Sequence, residues 1–85
     1  MAEDQVGVVV NFYAKPCVAA VKVTHGIIKI GDFLKYKGHT TDFTEVVSSI
    51  EIENQPVEIA KDGDLVGVKV KERVRENDKV YKVIE

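Results

Sequence analysis

The sequence predicts an all-β fold, a small closed antiparallel β-barrel of six or seven short strands built from residues 1–85 as one domain. Three observations carry that expectation. Apolar residues alternate with a period of two in run after run, and no segment holds the helical period over a useful length. Glycine, proline, asparagine and aspartate separate these runs at short intervals. A turn signature also recurs at Gly31-Asp32, Gly63-Asp64 and Asn77-Asp78, each leading into an apolar run. A residue that tolerates positive φ, followed by aspartate and then a strand, is suitable local chemistry for entering a sheet. Many short strands without a helix are the pattern of a barrel.

Taken in order, Gln5 to Tyr13 reads as the first strand, with Val6, Val8 and Val10 on one face and Gly7, Val9 and Asn11 on the other. Residues 1–4 read as a disordered start. Ala14-Lys15-Pro16 is a turn, since proline fixes φ and biases the residue before it to extended geometry. Cys17 to Thr24 follows as the hairpin partner, Val21 and Val23 pointing inward. Gly26 interrupts it, and Ile27, Ile28 and Ile30 form a short apolar connection across one barrel end. Phe33 to Lys37 is the next strand, with Leu34 and Tyr36 sharing a face. Gly38 to Asp42 is a polar loop. Phe43 to Glu53 alternates over a long span, with a bulge expected near Ser48-Ser49. Asn54-Gln55-Pro56 turns the chain, Val57 to Ile59 is short and extended, and Ala60 to Asp64 is a tight turn. Leu65 to Lys71 is the clearest strand, with Val66, Val68 and Val70 inward and Gly67, Lys69 and Lys71 outward. Arg73 to Asn77 turns, and Lys79 to Ile84 ends the sheet.

Composition narrows the class. Hydrophobic residues make up 45% and charged residues 31%, which supports a packed core rather than disorder. A chain of 85 residues buries only about 60–65% of its unfolded surface, so that single core must be efficient. The net charge of −2 gives no general attraction to nucleic acid or to an anionic membrane, so any such binding requires a local patch. Cys17 is the only cysteine, so no internal disulfide forms, and a reducing cytoplasm is expected. The acidic start Ala2-Glu3-Asp4 is unlike a signal peptide, and no apolar run approaches the roughly 18–20 residues of a membrane span. Abundant Val, Ile, Lys and Glu with sparse Gln and Asn fit a thermophile.

The run Val21-Lys22-Val23-Thr24-His25-Gly26-Ile27-Ile28-Lys29-Ile30-Gly31-Asp32 resembles the second, β-barrel domain of translational GTPases, the family of elongation factor Tu. Ile59-Ala60-Lys61-Asp62-Gly63-Asp64-Leu65-Val66-Gly67-Val68 is similar to a later segment of that domain, and Arg75 to Val80 to its last turn and strand. The resemblance spans nearly the whole chain and implies a translation-protein barrel of the reductase/elongation-factor type. In elongation factor Tu a Gly-Arg-Gly-Thr-like segment in the first hairpin lies near the site for the aminoacyl end of tRNA. Ala14-Lys15-Pro16-Cys17-Val18 replaces it here, so that recognition is not expected to carry over. No G-x-x-x-x-G-K-[ST] stretch occurs, so this chain has no P-loop to bind GTP.

No catalytic constellation stands out, so a non-enzyme without cofactor or metal is expected. His25 and His39, with one cysteine, lack zinc spacing. His25 sits in a turn, and His39 with Thr40, Thr41 and Asp42 could form a polar site or simply a solvated loop. Cys17 beside Lys15 could be an activated thiol or a small strand residue. Asp62 and Asp64 are accounted for by turn chemistry. The strongest functional feature is a basic stripe. Lys69, Lys71, Arg73 and Arg75 recur at every second residue and would share one face of an extended chain. Lys35 and Lys37 form a second such pair, and Tyr13, Phe33 and Phe43 lie near strand ends. Basic and aromatic side chains together can hold RNA, whereas Glu51, Glu53, Glu58 or Glu72 could instead pair with the stripe on a solvated face. The expected function is a non-enzymatic module binding RNA or a ribosome-associated component. The alternative is a barrel that docks a separately encoded GTPase or enzyme. Gly26, Gly31, Asp32, Gly38, Gly63 and Asp64 are expected to be structural turn residues.

Overall fold

The computed structural model describes residues 2–84. It holds ten strands: β1 (Ala2–Tyr13), β2 (Val18–Val23), β3 (Ile27–Lys29), β4 (Phe33–Lys37), β5 (Asp42–Val46), β6 (Ile50–Ile52), β7 (Gln55–Val57), β8 (Ile59–Lys61), β9 (Leu65–Lys69) and β10 (Lys79–Ile84). Eight of them form one sheet in the order β5-β4-β10-β1-β2-β9-β6-β7, and β3 pairs with β8 in a separate ribbon. Every pairing is antiparallel.

The closed barrel expected from the sequence is not formed. Both sheets are open, since no ladder among the described residues joins the outer strands β5 and β7. Three local features lie at or near the outer strands. Pro56 in β7 has no N–H to donate, which suits an edge position. Val47 extends the β4–β5 pairing past the Phe33–Val46 pair: its N–H donates to Asp32 O, and its carbonyl accepts from Gly31 N at 2.9 Å. The Glu45 carboxylate of β5 accepts from Lys71 N, just past β9, at 3.1 Å. The single strand expected from Phe43 to Glu53 is accordingly split into β5 and β6.

Both sheets nevertheless cover one core. Val6, Val9, Val21, Val23, Leu34, Tyr36, Ile50, Val66, Val68 and Val80 of the large sheet pack in one cluster with Ile28 of β3 and Ala60 of β8. The Ile27–Lys29 segment, expected as a plain connection, is therefore a strand that closes one side of the core against β8. β1 departs from simple alternation, because its register shifts between Gln5 and Gly7 and again between Val9 and Asn11. These irregularities bury Val6 and Val9 together and leave Val10 exposed, which overturns the Val6/Val8/Val10 face. Residues 2–4, expected to be disordered, pair with Ile84, Val83 and Lys82 of β10, while Met1 lies outside the described residues.

The three aspartate turns share one geometry. Lys29, Lys61 and Arg75 each donate their backbone N–H to the carboxylate three residues on, at 2.8 to 2.9 Å, on Asp32, Asp64 and Asp78. Each aspartate N–H returns a bond to the carbonyl of the same basic residue. The residue before the aspartate has positive φ in all three, 96° at Gly31, 96° at Gly63 and 73° at Asn77. That conformation is open to glycine at little cost and to asparagine more readily than to most residues.

Candidate functional site

The basic residues of the stripe are all exposed, but only Lys69 lies within a strand. β9 ends at Lys69, and the chain beyond it is irregular through Asn77. Lys71 uses its backbone N–H on Glu45. The Arg73 guanidinium lies 5.8 Å from the Phe12 ring centroid, and Arg75 Nε donates to Thr40 Oγ1 at 3.0 Å. Lys35 is tied to Glu3 at 3.2 Å, while Lys37 stands opposite Lys79 and Asp42 across the sheet. The aromatics are scattered as well: Tyr13 and Phe33 are exposed, but Phe43 is buried, stacked on Tyr36 at a centroid distance of 5.0 Å.

The remaining candidates are local structure. The His25 ring bonds the neighbouring Thr24 hydroxyl at 3.1 Å, and His39 is exposed. Thr41 is buried, and its carbonyl closes a turn by accepting from Gly38 N. Cys17 is exposed with φ of 55°, and its thiol lies 3.4 Å from Ala14 O. Asp62 is exposed beside Gly63. Among the described residues no group of three or more His, Cys, Asp or Glu is arranged to hold a metal ion.

A groove that the sequence reading did not single out is better built. It lies on the outer face of β2, β9 and β6, has a volume of about 470 Å³, and is bounded by Tyr13, Val18, Leu65, Glu51, Glu53 and Asn54. Its floor follows from register: Ala20 stands opposite Gly67, and Gly67 opposite Glu51. Directly opposed residues of antiparallel strands point to the same face, so a methyl group and a missing side chain leave a trough there. Tyr13 is 51% and Leu65 55% exposed, so two large apolar side chains stand at its margins. Glu53 and Asn54, with φ of 52° and 64°, form the β6–β7 turn, which brings the Glu53 side chain to the same rim as Glu51. Two residues with positive φ in a two-residue hairpin loop match the twist of the strands. The available signal was the small pair Ala20 and Gly67 at outward positions, together with the alternation Glu51/Glu53.

A larger depression of about 580 Å³ is lined by Asp4, Gln5, Val6, His25, Gly26, Ile27, Lys82 and Ile84. It mixes both charge signs, and Lys82 is already committed to Asp32 at 3.2 Å.

Likeness to known proteins adds a functional setting. Over 78 residues, 91% of this chain, the sequence is 49% identical to a Methanocaldococcus jannaschii protein described as an uncharacterized protease, 19% of whose length is matched. A collagenase of Porphyromonas gingivalis is 35% identical over 91% of this chain and 22% of its own length. The chain therefore spans about a fifth of these curated relatives. No protein-family model matches. In three dimensions the chain resembles the crystal structure of the C-terminal domain of a Geobacillus thermoleovorans protein described as a U32 peptidase. The TM-score is 0.87 at 21% identity, over 95% of this chain and 93% of that one. GDP-bound aIF5B of Aeropyrum pernix contains a segment of similar fold, with a TM-score of 0.65 at 20% identity over 94% of this chain but 14% of that one.

These findings correct the translational reading. The all-β fold is that of the U32 peptidase C-terminal domain, which it matches more closely and nearly end to end, and not a closed elongation-factor barrel. The non-enzymatic RNA- or ribosome-binding module and the barrel docking a GTPase fall with that resemblance, because the similar sequences are named as a protease and a collagenase. The translational likeness arose from Gly26, Gly31-Asp32 and Gly63-Asp64. Turn chemistry of that kind specifies how a strand is entered, which proteins of different function can share.

Proposed function

We propose that this chain works in peptide-bond hydrolysis, as the β-domain of a U32-type peptidase that holds the polypeptide to be cleaved. The observation that carries this reading is the 49% identity to a protease over 91% of the chain. The fold likeness to a U32 peptidase domain and the outer-face groove support it. A trough walled by exposed apolar side chains with a few polar groups at its rim is suited to gripping a polypeptide segment. On this reading the bond-breaking groups lie in the roughly four fifths of the relatives' length that this chain does not span. We place this work in the cytoplasm, where the exposed thiol of Cys17 stays reduced.

A domain exchange tests the proposal. The matched segment of the Methanocaldococcus protease is replaced by this chain, and release of fluorescent fragments from labelled casein and gelatin is compared with that of the protease lacking the segment. The exchanged protein is expected to cleave at least about tenfold faster than the truncated one, a difference of transition-state binding near 1.4 kcal/mol. Equal rates from the two proteins, both folded, would contradict it.

A further inference from the structure

From the outer-face groove we infer a substrate class: a polypeptide segment that places a lysine or arginine side chain across Ala20 and Gly67 with its charge at Glu51 and Glu53. This inference rests on the reading of the chain as a polypeptide-holding peptidase domain.

The register supplies the geometry. Glu51 stands opposite Gly67, and Gly67 opposite Ala20. The Val18 side chain leans over Gly67, with its Cγ1 3.1 Å from where a Cβ would stand, so the way from the apolar walls to the Glu51 rim runs along an apolar floor of Val18 and Ala20. Tyr13 and Leu65, more than half exposed, border this route. A long aliphatic stem with a cationic head matches such a trough, because the stem covers apolar surface while the head reaches a polar rim. The exposed Tyr13 ring adds a face that favours a cation nearby.

Charge supplies the commitment to a basic occupant. Glu51 and Glu53 line one rim, and neither forms an ion pair among the described residues. Three cations of this chain lie near enough to compete, and Lys15, in the turn between Tyr13 and Pro16, forms no ion pair with either glutamate among the described residues. Lys22 donates to Gly63 O at 3.2 Å, and Lys69 stands opposite Val18, one residue past the Val68–Ile50 pair, without bonding either glutamate. Two carboxylates with no partner are complementary to a guanidinium or ammonium group, and a planar guanidinium can engage them through several N–H donors.

The test uses the 85-residue chain and fluorescein-labelled decapeptides of Gly, Ser and Val that carry one central Arg, Lys, Gln or Glu. Binding is read by anisotropy and located by amide chemical shifts. The Arg and Lys peptides are expected to bind about tenfold tighter than the Gln peptide, with the Glu peptide weakest, and to shift the amides of Ala20, Glu51 and Gly67. The Glu51→Gln/Glu53→Gln variant is expected to bind the Arg and Gln peptides within about twofold of each other. Ala20→Leu, which fills the floor and keeps the rim charges, is expected to weaken all four peptides together. Equal affinity of wild type for the Arg and Gln peptides would overturn the inference. So would shifts confined to another surface, or a concentration-dependent self-association that occupies the groove. If the domain exchange restores cleavage while the peptides are not discriminated, the charge assignment alone has failed; if the exchange restores nothing, the peptidase reading has failed.

Discussion

At the scale of single residues, the buried polar groups make the sharpest statements. Tyr36 is fully buried, and its hydroxyl has no hydrogen-bond partner among the described residues, which costs about 1–3 kcal/mol relative to a solvated group. Burial, with the Glu45 charge adding to it, pushes the Tyr36 phenol well above its ordinary value. Tyr36→Phe keeps the stack on Phe43 and removes the orphan group. It is expected to leave the unfolding free energy from chemical denaturation unchanged or raise it, and a fall of more than about 1 kcal/mol would show that the hydroxyl is satisfied. Asp78 is the opposite case, since its buried carboxylate accepts from Arg75 N at 2.8 Å. Asp78→Ala is expected to cost about 1–3 kcal/mol in the same measurement. A methyl group at Gly38 would collide with that carboxylate, so Gly38→Ala should cost a similar amount by overpacking.

Glu45 makes stability depend on pH. Burial raises its pKa above the ordinary carboxylate value, outweighing the lowering from the Lys71 backbone bond and the Lys71 charge, while Glu72 adds to the rise. A raised folded value means that the native state binds the proton more readily than the unfolded chain. The group's contribution to stability therefore grows as pH falls from neutral through the raised value, and is lost as pH rises through it. Glu45→Gln, which keeps an acceptor for Lys71 N, is expected to be more stable than wild type at neutral pH. The advantage should close as pH drops into the carboxylate range, which urea midpoints across that window will measure.

At the scale of elements, most of the strand layout was legible because it rests on local chemistry. Leu34 and Tyr36 of β4, Val21 and Val23 of β2 and Val66 and Val68 of β9 are buried in the alternation that their spacing implies. Breaks in alternation were not legible, because they depend on partners distant in sequence. Val9 is buried and Val10 exposed because β1 is irregular against both β10 and β2. The Ile27–Lys29 strand needed the partner Ile59–Lys61 before it could be recognised. The end of β9 was hidden for a similar reason, since period-two spacing shares a face only while the chain stays extended, and the chain bends at Lys71-Glu72. Gly7 marks one irregularity and cannot be exchanged cheaply, since an added Cβ would lie 2.6 Å from Lys22 O and 3.0 Å from Val21 Cγ1. Gly7→Ala is therefore expected to lower stability by about 1–3 kcal/mol. Amide exchange should follow the sheet order, slowest in β1 between its two long partners and fastest in β7 at the free edge.

At the scale of the whole molecule, one core is shared by an open eight-stranded sheet and a two-stranded ribbon, with an acidic-rimmed trough on the outside. Of that trough the sequence showed Glu51 and Glu53, but only as counter-ions for the stripe. Nothing local reveals that β6 pairs with β9 and sets Glu51 opposite Gly67. The peptidase reading predicts a particular division of labour. A domain that holds long polypeptides should matter for them and not for a substrate too short to reach it. The most direct measurement is kcat/KM of the exchanged and the truncated Methanocaldococcus protease, on unfolded casein and on a fluorogenic tetrapeptide. The account predicts that the exchanged protein gains about tenfold or more on casein and is equal to the truncated one, within about twofold, on the tetrapeptide. Equal values on casein from two folded proteins would contradict it.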